Sequence, residues 1–128
     1  MNIQPNLLLA WLWILLGFVS GMLLGLFFHD EHWLGGYGSF RRRMYRLGHI
    51  SFFGLGVLNL LFCLTVKHYL LAGTGLYVAS WAFMIGAVTM PLCCAIMANW
   101  PQARLIFSVP VASLITGGLL ILKELVKL

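Results

Sequence analysis

Four long apolar blocks, at 7–28, 47–66, 76–98 and 105–122, constrain this chain more than any other feature. Each has about the 17–25 residues that a helix needs to cross a hydrocarbon core. The first and third contain no charged residue. Strands of a membrane barrel would alternate polar and apolar positions over about ten residues, and these blocks do not. Helices also satisfy their own backbone hydrogen bonds, which lipid demands. The expected fold is therefore all-α: an integral membrane four-helix transmembrane bundle forming a single domain over 1–128.

Composition agrees with this expectation. Of 128 residues, 62% are hydrophobic and 9% charged, with only Asp30, Glu31 and Glu124 acidic. That leaves too little polar surface to cover a water-soluble globule. The formal charge of +5 comes from Lys and Arg that flank the apolar blocks, so it points to a membrane and not to nucleic acid. Three cysteines, an odd number inside apolar segments, argue against a secreted disulfide scaffold. The first block lacks a basic leader and a cleavage pattern, and reads as a retained signal anchor.

Charge asymmetry suggests an orientation. Arg41, Arg42, Arg43, Arg46 and Arg104 fall in the first and third connections, while Lys67, Lys123 and Lys127 lie on the opposite side. The positive-inside rule then places the arginine side in the cytoplasm and both termini outside. The expected setting is a bacterial inner (plasma) membrane. Arg41, Arg42, Arg43 and Arg46 are candidates for topology and for contact with anionic lipid headgroups.

Small residues mark candidate contact faces. Gly17, Gly21 and Gly25 form a doubled GxxxG ridge on the first helix, and Ala82/Gly86 and Ser113/Gly117 repeat the spacing on the third and fourth. Such spacing lets helix backbones approach closely, within the chain or between protomers. Pro91 and Pro110 are expected to kink the third and fourth helices. Trp11, Trp13, Trp33, Trp81 and Trp100 are expected to form an interfacial belt.

The histidines are the sharpest candidates for chemistry. His49 is a titratable group inside a span, on a stripe with Gly56 and Cys63 that is expected to face the bundle. His29 and His32 close the first helix, where an i, i+3 pair shares a face if the helix continues that far. An antiparallel bundle brings His29, His32 and His49 to one membrane side, together with Met90, Cys93, Cys94 and Met97. Two cofactor expectations follow: haem b or a metal held by His49 with His29 or His32, and copper held by the soft Met/Cys face. The competing expectation is a histidine that only hydrogen-bonds a neighbouring helix. No GxSxG, HExxH, Walker A or CxxC pattern is present, so enzyme chemistry of the soluble type has little support in the sequence.

Three function classes remain open from sequence. The first is a structural or accessory subunit associated with other membrane subunits or with copies of itself. The second is a haem- or metal-binding redox protein. The third is a small transporter, suggested by kinks and intramembrane polar groups but lacking an intramembrane carboxylate.

Overall fold

A computed structural model describes residues 2–127. Helix α1 runs Gln4–Phe27, α2 Phe40–His68, α3 Thr74–Asn99 and α4 Ser108–Leu125. No strand occurs among the described residues. All four helices, α4 together with the 3-10 turn that precedes it, are long and apolar enough to cross a membrane. They stand in chain order, α1 against α2, α2 against α3 and α3 against α4, with only a minor α1–α3 contact. Helices α1 and α4 are therefore the two edges of the bundle.

The helix boundaries differ from the apolar blocks in three informative places. Helix α2 begins at Phe40, seven residues before the expected 47, because Ser39 caps it by accepting from the Arg42 N–H at 3.1 Å. The arginine run thus lies on the helix instead of in the connection. Helix α1 ends at Phe27, so His29 and His32 lie in the following turns and do not share a helical face. Helix α4 begins at Ser108, after a 3-10 turn over Pro101–Phe107. Pro110 therefore occupies the first turn, where an N–H has no intrahelical partner to lose, and no helix is interrupted there. Pro91 does lie inside α3.

Glycines set the close contacts between helices. A Cβ on Gly17 would come within 2.7 Å of the Phe53 ring, and one on Gly21 within 2.8 Å of the His49 ring. Gly56 receives the α1 backbone, with Ala10 O 3.0 Å from where its Cβ would be. On the other side, Gly86 accommodates Leu114, and Gly117 accommodates the Phe83 ring. Nothing within the protein approaches Gly25, so the ridge divides: two glycines contact α2 and the third is open.

Polar side chains join the helices between these contacts. Asn6 donates to Asn59 Oδ1 at 2.9 Å and to Ser80 O at 3.1 Å, and the Ser80 hydroxyl donates to Asn6 Oδ1. This buried knot joins α1, α2 and α3. Trp13 donates to Ala87 O at 2.9 Å, so this tryptophan points into the bundle and leaves the expected belt. Ser113 donates to Ala82 O at 2.7 Å, joining α4 to α3.

Candidate functional site

The connection between α1 and α2 is organised by one arginine. Arg42 is 1% exposed. Its guanidinium lies 4.0 Å from the Tyr37 ring centroid, 4.7 Å from Phe28 and 5.4 Å from Trp33. It also donates to Phe28 O at 3.0 Å and to Asp30 O at 3.2 Å. Cation–π attraction and charge-assisted bonds offset the burial of the charge, although Nε has no partner. Arg42 thus folds the turns 28–39 over the end of α1. Arg41, Arg43 and Arg46 are exposed. The sequence offered no sign that one arginine of the run differs from the others, apart from the nearby aromatic residues.

Below this end, α1, α2 and α3 leave an apolar groove of about 520 Å³. Its walls include Leu23 and Leu24 of α1, Phe52 of α2, and Val88 and Leu92 of α3. Its polar lining side chains are Ser20, Tyr45 and His49, with the Trp13 indole nitrogen already bonded to Ala87 O. Trp13 and Val88 mark one limit, since the Trp13–Ala87 bond ties α1 to α3 there. At the other limit Arg41 donates to Asn99 Oδ1 at 3.1 Å, and Asn99 reaches the Tyr45 hydroxyl at 3.5 Å. From Trp13 to Leu24 the groove extends about 16 Å along α1, about half a hydrocarbon core.

His49 lines this groove and is half-buried. Its Nδ1 lies 2.9 Å from Ser20 Oγ, and the bare backbone at Gly21 leaves room for the ring. The expected stripe faces α1 along its length: His49 meets Ser20, Gly56 meets Ala10, and Cys63 Sγ approaches Ile3 O at 3.5 Å. The sequence pointed to the stripe but not to Ser20. A hydroxyl inside the glycine ridge was the available signal.

The other candidates separate. His29 and His32 are exposed and do not line the groove, and His68 lies about 28 Å from His49 along α2. Cys94 is fully buried against Gly48 and lines the groove, whereas the Cys93 thiol turns toward Ile106 O at 3.4 Å. Met90 and Met97 are half-buried and do not line the groove. Among the described residues, no three His, Cys, Asp or Glu side chains gather as a metal-binding group. The arrangement offers one imidazole in an apolar cleft with a cation at its rim.

Compared with known proteins, the chain matches no family model, no curated relative and no solved structure.

Proposed function

We propose that this protein is a structural or accessory subunit of a membrane assembly. The observation that carries the proposal is the uneven burial of the four helices. Only 11% of the apolar span is buried within the chain for α1 and α4, against 44% for α3. The edge helices leave Leu15, Phe18 and Met22 on α1, and Ile115, Leu119 and Leu122 on α4, facing outward. The buried polar side chains, by contrast, hydrogen-bond within the protein. None of them is acidic, which favours a structural role over ion-coupled transport.

The proposal includes a bacterial inner membrane, with the arginine end of the bundle on the cytoplasmic side and both termini outside. Among the described residues the only ion pair joins Lys127 to Glu124, so Arg41, Arg43, Arg46 and Arg104 have no carboxylate partner. They suit the phosphates of anionic lipids at that surface. The partner across α1 or α4 is another membrane subunit or a second copy of the chain.

A photo-cross-linking residue at Leu15 or Leu119 tests the proposal in native membranes. The expected result is one discrete protein adduct from at least one of these faces. Adducts with lipid alone from both faces would overturn it.

A further inference from the structure

The groove beside His49 is not used by a purely structural role, and the hydrogen bonds of Ser20 are consistent with an imidazole that presents a free nitrogen. The Ser20 hydroxyl donates to Gly17 O at 3.1 Å and also faces His49 Nδ1 at 2.9 Å. A hydroxyl has a single proton. With that proton directed to Gly17 O, the second bond runs from Nδ1–H into a Ser20 lone pair. The neutral ring then carries its proton on Nδ1 and a free lone pair on Nε2. Nε2 makes no hydrogen bond to any described residue and is not fully buried, lying beside the bare backbone of Gly21.

We propose that this groove is a haem b site in which His49 Nε2 is the axial ligand of the iron. An imidazole whose other nitrogen is held by a hydrogen bond is how proteins fix the tautomer and orientation of a metal-ligating histidine. A bare ion would need several protein ligands, and no such cluster is present among the described residues. Haem brings its own ring nitrogens, so one histidine suffices. The walls are apolar, as a macrocycle requires, and the volume falls within the range of small-molecule sites, about 300–1,000 Å³.

The charges agree. No carboxylate lines the groove, and Arg41 lies on the α2 stripe of Tyr45 and Gly48, one turn beyond Tyr45 and two beyond Gly48, at the rim. That places a cation where the propionates of a haem would emerge. The site differs from the histidine pair expected from sequence, because His29 and His32 lie outside the groove. It is also independent of the subunit role: cross-linking can fail while haem binds, and the reverse.

The test is a hemin titration of the full chain in lipid nanodiscs, with empty nanodiscs as the blank. The expected result is a saturable, equimolar Soret shift. His49→Gln, which retains a side chain able to reach Ser20, should weaken hemin binding at least tenfold while leaving the melting temperature near that of the parent. Ala95→Phe, which fills the groove from α3 while His49 itself is retained, should also block binding. His68→Ala, His29→Ala and His32→Ala should bind as the parent does. Metal-free protoporphyrin should bind with no dependence on His49. A titration indistinguishable from empty nanodiscs, meaning partition into lipid only, would overturn the site. So would a His49→Gln protein with the parent spectrum and affinity, or loss of the band on changing His29 or His32.

Discussion

Asn6 and Asn59, on neighbouring helices and both without solvent exposure, meet amide to amide at 2.9 Å. Ser80 completes the arrangement from α3, so a single polar knot fixes the relative rotation of three helices. Asn6→Leu leaves the Ser80 hydroxyl and Asn59 Oδ1 without these partners in an apolar interior. The expected cost is about 1–2 kcal/mol of stability in lipid. Ser51→Ala removes only a bond within α2, from Ser51 to Gly48 O, and should cost much less. Reversible unfolding in bicelles checks the difference, and equal losses would contradict it.

Arg42 and Arg43 are adjacent but should behave differently. Arg42→Gln removes the cation from the Phe28, Trp33 and Tyr37 rings and breaks the guanidinium bonds to the Phe28 and Asp30 carbonyls. A loss of about 2–3 kcal/mol is expected from the charged hydrogen bonds and ring contacts together. Amide hydrogen exchange across 28–39 should accelerate, while the α2–α3 core keeps its protection. Arg43→Gln, at an exposed position, should leave the same amides unchanged.

The glycine ridge should respond position by position. Gly17→Leu and Gly21→Leu would drive a side chain into Phe53 and His49, costing about 1–3 kcal/mol or separating α1 from α2. Gly25→Leu meets nothing within the protein and should leave the melting temperature of the isolated chain unchanged. Thermal unfolding of the three variants in one detergent would show whether the ridge divides in this way.

Leu70 adopts a left-handed backbone, φ +51°, one residue after the C-cap of α2. The Leu71 N–H returns to Val66 O at 3.1 Å, closing a Schellman turn of the kind usually built on glycine. The Leu70 side chain is 86% exposed, so little contact is lost on removing it. Leu70→Gly should therefore stabilise the protein by about 1 kcal/mol through relief of that conformation. A lower melting temperature would contradict this.

The helices were legible because apolar runs of spanning length leave a chain few alternatives in lipid. Their ends were less so. Charged residues closed the second block at 47, yet arginine is a good helix former and Ser39 supplies the cap, so α2 starts at Phe40. Asn6 lies just outside the first apolar block, but α1 begins at Gln4, and this places Asn6 within the bundle. His49 was identifiable as an unusual intramembrane group. Its partner Ser20 was not, because the rotation of one helix against another depends on every contact between them. Arg42 differs from its neighbours only through the aromatic residues that a non-helical turn brings around it.

Native mass spectrometry of particles excised from the native membrane with their own lipid tests the subunit role most directly. If the chain is a docked subunit, ejected complexes contain it in a fixed ratio with one other membrane protein or with further copies of itself. The Leu15 and Leu119 faces then account for the cross-links. If every particle releases a single chain with lipid alone, the outward faces of α1 and α4 are simply lipid-facing, and the chain is not an accessory subunit.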